Sequence, residues 1–221
     1  MLEEAIDAAY AERYSPWGRI YDVPSRRAAN DNLPLNRPQM IGLTGRRNVG
    51  KSTVARLLEK EFNFVPVHPY GGGKVAAVAF FDYITCNAEL AWRMVYGDLK
   101  DVPSDYLPGN VSPRYFMEKD GHFRGSVLGL EWTLGLEIDI ARREHPGRRL
   151  VVESLVYEAD WFRAKGGMVV RLERPDHDGP AGVESDRAQA GVRADACISA
   201  RGVDDLEREA RKLVQQVYGG G

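Results

Sequence analysis

Residues 45–52 read Gly45-Arg46-Arg47-Asn48-Val49-Gly50-Lys51-Ser52 and match the pattern G-x-x-x-x-G-K-[ST]. An apolar run, MIGLT at 40–44, precedes them, and STVARLLEKEF at 52–62 follows with helical spacing of its apolar residues. The glycines allow the backbone to curve inward, so that successive N–H groups point at one anion at the start of a helix. The stretch therefore predicts a phosphate-binding loop between a strand and a helix.

The residue types of this loop predict what each would contact in a bound nucleoside triphosphate. We expect Lys51 to lie along the β- and γ-phosphates of ATP, and Ser52 to bind Mg2+. The backbone of the loop would enclose the phosphates. The expected nucleotide contacts in this stretch are Gly45, Arg46, Arg47, Asn48, Val49, Gly50, Lys51, Ser52 and Thr53.

A nucleotide-binding switch protein without a transfer activity is a second interpretation of the same loop. Translation-factor-like GTPases carry a similar G-x-x-N-V-G-K-S-T loop, but they read guanine with an N-K-x-D string, and this sequence contains no N-K-x-D. The D-x-x-G string at 176–179 lies so far downstream that too little chain follows it for a guanine site. The sequence therefore favours another kind of P-loop protein.

Composition excludes several classes of protein. The chain has 221 residues, of which 43% are hydrophobic and 28% charged, as in globular domains rather than disordered, collagen-like or coiled-coil chains. The net charge of −2 argues against charge-driven binding to nucleic acid or membranes. Cys86 and Cys197 are far apart and the first residues do not resemble a secretory signal, so we expect free thiols and a cytoplasmic protein.

Short apolar runs alternate with segments of helical periodicity from residue 39 onward. Strands that are apolar throughout, with helices as crossovers, imply a parallel sheet covered on both faces. We therefore expect an α/β, three-layer P-loop NTPase fold with a parallel sheet of about five strands. The expected strands lie at 40–43, 64–67, 150–152, 168–172 and 196–198, and the expected helices at 51–62, 74–97, 125–144, 157–165 and 203–217.

The order of features after the loop resembles a known family, the phage-type deoxynucleoside monophosphate kinases, a branch of the P-loop nucleoside monophosphate kinases. The similarity covers about residues 39–217. At the end of its acidic strand the family usually has D-x-R, whereas this chain has Glu153-Ser154-Leu155. The segments that carry the resemblance are Lys74 at a helix start, Ser112-Pro113-Arg114, Arg124 after a glycine, LVVESLVYEADWFRAKGGMVVRLERP at 150–175, Glu184-Ser185-Asp186 and Asp195.

The resemblance implies a transferase of phage deoxynucleotide metabolism that passes the γ-phosphoryl group of ATP to a deoxynucleoside 5′-monophosphate, with Mg2+ as cofactor. It implies a P-loop kinase domain at 38–221, with a helical acceptor-binding insertion at about 70–145 and a lid at about 175–194. The N-terminal helix and irregular arm that we expect at 1–37 have no counterpart in the core of the family. The sequence leaves open whether the chain forms a homodimer.

Phosphoryl transfer between two phosphates gathers negative charge, so its site needs cations on the donor and acceptor sides. We expect Glu153 to join Ser52 at Mg2+, and Arg174 to contact the nucleotide. The candidate catalytic residues are Lys51, Arg114, Arg124, Arg187 and Arg193. The candidate substrate contacts are Lys74, Arg114, Phe123, Arg124, Glu131 and Trp132, although an aromatic residue on an amphipathic helix, such as Trp132, is more often part of the core.

A different acceptor for the same P-loop site stays open at this stage. A modified base in DNA, or the hydroxyl group of a nucleoside, would need a general base, for which Glu153, Asp98 and Asp120 are candidates. The acidic pI near 6.1 weighs against a DNA substrate.

Overall fold

A computed structural model of the chain describes residues 37–175, 188–189 and 191–219. Apart from residue 37, the expected arm lies outside the described residues, and so does the expected lid from 176 to 187. In the described ranges, none of the helices combines the length and the apolar content that crossing a membrane requires.

The described core contains a five-stranded sheet whose paired strands all run parallel, in the order β2-β3-β1-β4-β5. Met40 of the central strand lies opposite Leu150 on one side and Gly167 on the other. The central strand is buried along its whole length. The expected α/β fold with a parallel sheet is therefore confirmed. The strands are β1 (Met40–Thr44), β2 (Val65–Val67), β3 (Leu150–Val152), β4 (Gly167–Glu173) and β5 (Ala196–Ser199).

Helices cover both faces of this sheet. One face packs against α1 and α7 through residues such as Leu58 and Leu206, and the other packs against α5 and α6 through Leu134 and Phe162. The helices are α1 (Lys51–Phe62), α2 (Gly71–Thr85), α3 (Ala88–Tyr96), α4 (Pro113–Leu128), α5 (Leu130–Glu144), α6 (Ala159–Ala164) and α7 (Val203–Tyr218). The order helix layer, sheet, helix layer makes the three layers that the sequence predicts.

The segment between β2 and β3 forms its own small core. Phe81 of α2, Met94 of α3 and Met117 of α4 are buried against one another and apart from the two clusters that cover the sheet. Helix α5, by contrast, belongs to the layer on the sheet, because Leu134 and Ile138 pack there. The inserted subdomain is thus α2, α3 and α4, and α5 connects it to the sheet.

Two expected helices differ from those in the structure. The segment 74–97 is two helices, because Cys86 takes a left-handed conformation (φ 50°) and Asn87 then caps α3 by accepting a hydrogen bond from the Leu90 N–H at 3.0 Å. The segment expected as one helix from 125 is the end of α4 followed by α5, with Gly129 at φ 87° between them. Helix α4 already begins at Pro113, which follows a Ser112 cap.

The turn from α6 into β4 is as predicted. Gly166 has φ 82°, which a residue with a side chain rarely adopts, and it separates the helix from the strand that begins at Gly167. The carboxylate of Asp195 accepts a hydrogen bond from the Val169 N–H at 2.8 Å, and this bond aligns the start of β5 with β4.

Candidate functional site

The loop from β1 to α1 has the backbone geometry that its glycines predict. Gly45 has φ 136° and Gly50 has φ 104°, both in the range that favours glycine. A Cβ atom on Gly45 would also overlap the backbone carbonyl oxygen of Leu172 in β4. The loop can therefore lie flat against the end of the sheet only with glycine at this position.

Helix α1 presents a positive end to the loop. In the part of the chain that the structure describes, no side chain caps its N-terminus, and its first turn contains no acidic residue. The ammonium group of Lys51 donates hydrogen bonds to the carbonyl oxygens of Gly45 and Arg46, the second at 2.9 Å. A helix N-terminus and an enclosed ammonium group together form an anion-binding site of the kind that holds phosphates.

Ser52 and Glu153 lie together at the mouth of the loop. The Ser52 hydroxyl donates to Oε2 of Glu153 at 3.2 Å, and the Glu153 N–H donates to the carbonyl oxygen of Val67 at 2.9 Å. Mg2+ prefers oxygen ligands and usually takes only one or two from protein, the others being water and phosphate. The pair of oxygens fits such a site, and the described residues include no cluster of three or more His, Cys, Asp or Glu that would suit a metal held by protein alone.

Three further cations lie near this point, on the side of the inserted subdomain. Burial, followed by the charge of Lys100, lowers the pKa of Lys74 to about 8, and the charges of Glu153 and Arg114 also act on it. Burial and Arg114 lower the pKa of Lys100. The Arg114 N–H donates to the carbonyl oxygen of Lys100 at 2.8 Å, and the Arg114 guanidinium pairs with the carboxylate of Asp101. The three side chains form a partly buried cluster of positive charge.

This cation cluster, Lys74, Lys100 and Arg114, lines a cavity of about 800 Å³. The cavity lies between the inserted helices and the segment after β3. Its walls combine aromatic and aliphatic side chains with hydroxyl groups and one buried carboxyl, from Tyr70, Tyr115, Leu130, Thr133, Ser154, Tyr157 and Glu158. Its size and its mixture of apolar and polar groups are typical of a site for a small molecule.

Arg124 also lines the cavity, but its guanidinium is held by a neighbouring carboxylate. Nε of Arg124 donates to Oδ2 of Asp120 at 2.6 Å, and the Tyr70 hydroxyl donates to the same oxygen at 2.6 Å. Burial and the contact with Asp120 raise the pKa of Tyr70. The structure thus brings Arg124 to the predicted acceptor region, within a hydrogen-bonded group that ties α4 to the start of α2.

Three residues predicted as substrate contacts do not line this cavity. Phe123 is 62% exposed, and Glu131 and Trp132 are exposed near the start of α5. The expectation that Trp132 belongs to the core is wrong, because its side chain is 50% exposed. The buried stripe of α5 runs through Leu134 and Ile138, and a residue two positions before Leu134 lies on the opposite face of the helix.

Of the three arginines expected in or beside the lid, two are among the residues that the structure describes. Arg174 is exposed directly after β4, and Arg193 is exposed while its carbonyl oxygen accepts a hydrogen bond from Arg163. Arg187 lies outside the described residues. Val192 is buried in the core on the α5 and α6 side of the sheet, and its carbonyl oxygen accepts from Arg171. From Val192 onward the expected lid segment is therefore anchored to the sheet.

The sequence analysis assigns no site role to Lys100 or His68. Lys100 is in a loop after Gly97-Asp98 whose sequence does not indicate what packs around it. His68 is one of four histidines that are scattered along the sequence without metal-ligand spacing. One available signal was position: His68 directly follows β2, and residues after the carboxyl ends of parallel strands gather at one edge of the sheet.

Comparison with known proteins gives distant likenesses only. No family model and no curated protein matches the chain. Among solved structures, the dephospho-CoA kinase from Campylobacter jejuni is 15% identical, with 82% of this chain and 98% of that chain covered and a TM-score of 0.43. Shikimate kinases are also similar, from Aquifex aeolicus (15% identical, 82% and 99% covered, TM-score 0.41) and from Acinetobacter baumannii (15%, 83% and 94%, 0.39). The fold and the phosphate loop described above rest on this chain's own sheet order and loop geometry.

Proposed function

We propose that this protein transfers the γ-phosphoryl group of ATP to a deoxynucleoside 5′-monophosphate, yielding ADP and the deoxynucleoside diphosphate. The observation that carries the proposal is the position of the cations. Lys51 belongs to the phosphate loop, and Lys74, Lys100 and Arg114 line the adjoining cavity. Positive charge is thus available on both sides of the point where a donor and an acceptor would meet.

The number of cations on the cavity side favours a phosphate acceptor over a hydroxyl acceptor. Burying Lys74 and Lys100 near each other costs free energy, as the lowered pKa values of both show. A neutral hydroxyl group would not offset this repulsion, whereas a phosphate dianion would. Two anionic phosphates in contact need this neutralisation, because most of the catalysis of phosphoryl transfer is positioning and charge stabilisation.

The proposed step needs no proton transfer. An oxygen of the acceptor phosphate forms a bond to the γ-phosphorus, and the bond from that phosphorus to the bridging oxygen of ADP breaks. Lys51 would hold the β- and γ-phosphates, and Arg114 with Lys74 and Lys100 would hold the acceptor phosphate. Ser52 and Glu153 would hold Mg2+, which when bound neutralises phosphate charge.

The remainder of the cavity suits a nucleoside. Tyr70, Tyr115 and Tyr157 offer aromatic surface for a planar base, and the hydroxyl groups of Thr133 and Ser154 offer polar contacts for a sugar or for base edges. The preference for a deoxynucleoside is taken from the resemblance to the phage-type enzymes.

The proposal is tested by ADP release with ATP and Mg2+ in the presence of each common and modified deoxynucleoside 5′-monophosphate. We expect turnover with one or a few of them, and a kcat at least about 100-fold lower in Lys51→Ala. Lys60→Ala is the matched control, since Lys60 is an exposed lysine in the last turn of the same helix, and it should behave as wild type. Transfer to a hydroxyl group of DNA or of a nucleoside, with no monophosphate accepted, would contradict the proposal.

A further inference from the structure

His68 lies in the turn that leads from β2 into α2, and this turn fixes its ring. Nδ1 of His68 accepts a hydrogen bond from the Tyr70 N–H at 3.0 Å. The His68 carbonyl oxygen accepts another from the Gly71 N–H at 2.9 Å. The imidazole therefore cannot turn over without losing a backbone hydrogen bond at the start of α2.

These contacts determine where the ring carries its proton. A nitrogen that accepts a hydrogen bond uses its lone pair, so in the neutral imidazole the hydrogen is on the other nitrogen, Nε2. Burial, followed by the charges of Lys74, Lys100 and Lys51, lowers the pKa of His68 to about 3. The ring is consequently neutral at physiological pH and has one hydrogen-bond donor, the Nε2–H group.

The position of the ring is the second observation. Lys51, Lys74 and Lys100 come from three separate segments, and all three act electrostatically on the His68 ring. The residue before it, Val67, accepts a hydrogen bond from the N–H of Glu153, and Glu153 contacts Ser52 of the phosphate loop. His68 therefore follows directly on a strand residue bonded to Glu153 at the mouth of the phosphate loop, within electrostatic range of the cation cluster.

We propose that the Nε2–H group of His68 donates a hydrogen bond to an oxygen of the phosphoryl group in transfer. The proposal rests on the proposed function, and it gives His68 a role in the transfer. A neutral donor suits this position. A fourth cation beside Lys51, Lys74 and Lys100 would add electrostatic repulsion to side chains whose charged forms already repel one another. The hydrogen bond would therefore go to the γ-phosphoryl group, which ATP has and ADP lacks.

Two substitutions separate the two nitrogens. In His68→Asn the side-chain oxygen can replace Nδ1 as the acceptor for the Tyr70 N–H, but the donor at Nε2 is lost. In His68→Gln the longer amide can place an N–H near Nε2, but the acceptor at Nδ1 is lost. The first variant tests the proposed contact, and the second tests the turn.

The measurements are the dissociation constants of ATP and ADP, kcat with the accepted monophosphate, and thermal unfolding. We expect His68→Asn to weaken ATP binding and to lower kcat by about tenfold or more, with ADP affinity and Tm close to wild type. We expect His68→Gln to keep ATP affinity and kcat within about threefold while its Tm falls by a few degrees.

Equal losses in both variants together with a lowered Tm, or an unchanged ratio of ATP to ADP affinity in His68→Asn, would overturn the assignment and make His68 a structural residue of the turn. Absence of turnover with every monophosphate in the wild type would count against the proposed function instead. The affinity ratio would still decide the role of His68, because it requires no acceptor.

Discussion

Lys74 carries a charge that depends on pH within the ordinary working range. Its pKa is lowered to about 8, chiefly by burial and next by Lys100, so the ammonium form declines as the pH rises through that value. Only the protonated form attracts the acceptor phosphate. We therefore expect kcat/KM for the monophosphate to fall between about pH 7 and 9, because this ratio reports the pKa values of the free enzyme.

The control for this prediction is Lys74→Arg. A guanidinium group stays protonated over this range of pH, so the decline with a midpoint near 8 should disappear in the variant. A pH profile that is the same in the wild type and in Lys74→Arg would place Lys74 outside the acceptor site.

Single residues of the site could be predicted from the sequence where they belong to a motif or follow directly on a predicted strand. The phosphate loop and the meeting of Ser52 with Glu153 are examples, since a residue after a neighbouring parallel strand lies at the same edge of the sheet. Lys100 could not be predicted, because the cavity gathers residues from separate segments whose packing depends on the inserted core. For His68 the sequence held one signal, its position directly after β2. The roles of Arg114 and Arg124 at the acceptor stay predictions.

At the scale of elements, the start of α2 is held by side chains from two other helices. The carboxylate of Glu137 in α5 accepts a hydrogen bond from the Gly72 N–H at 2.6 Å, and a Cβ atom on Gly71 would lie 2.5 Å from its Oε2. The ring of Tyr70 packs against Gly73, and its hydroxyl is held by Asp120 of α4. The three consecutive glycines thus allow close contacts that position the first turn of α2, which contains Lys74.

We expect Glu137→Ala to displace this first turn and to raise KM for the monophosphate about three- to tenfold, with KM for ATP unchanged. The loss of a helix cap should also lower the free energy of unfolding by about 1 kcal/mol. Asn87→Ala is the matched control, since it removes the cap of α3 and should cost similar stability without affecting KM. The same KM in Glu137→Ala and in wild type would show that α2 is positioned by other contacts. Steady-state kinetics and urea unfolding make both comparisons.

Helix boundaries were predictable where a recognised cap or breaker occurs. Helix α1 has the expected bounds, because the loop glycine begins it, and Gly166 separates α6 from β4. The break at Cys86 was not predictable from residue type, since an exposed non-glycine residue there takes a left-handed conformation. The start of α4 did have a signal in the sequence, Ser112 followed by Pro113. The sequence analysis placed the start of this helix at residue 125 and did not use that signal.

At the scale of the whole molecule, Phe162 joins α6 to the centre of the sheet. Its ring is fully buried, and a Cβ atom on Gly42 of β1 would lie 3.0 Å from its Cε1. We expect Phe162→Ala to lower the free energy of unfolding by about 3–5 kcal/mol, as measured by urea unfolding. Trp132→Ala, at a half-exposed aromatic residue, should change it by about 0.5 kcal/mol or less. Similar losses in the two variants would contradict this description of the core.

The whole fold was largely predictable because every strand is a short apolar run separated by helical segments, which is typical of a parallel sheet between helices. The neighbour order of the strands was not predicted, because strand pairing depends on contacts across the chain rather than on local pattern. The sequence also did not predict that α5 belongs to the sheet layer rather than to the inserted subdomain. Helices α4 and α5 each have a buried face, but only that of α5 packs on the sheet.

In the proposed reaction, both the donor and the acceptor of the phosphoryl group bear phosphates. The most direct measurement follows the label from ATP that is radiolabelled at the γ-phosphate, with Mg2+ and the deoxynucleoside monophosphates, in the wild type and in Lys51→Ala. We expect label in the β-phosphate of a deoxynucleoside diphosphate with the wild type and none with the variant. Label found only in inorganic phosphate, or only in an ester of a hydroxyl group, would contradict it.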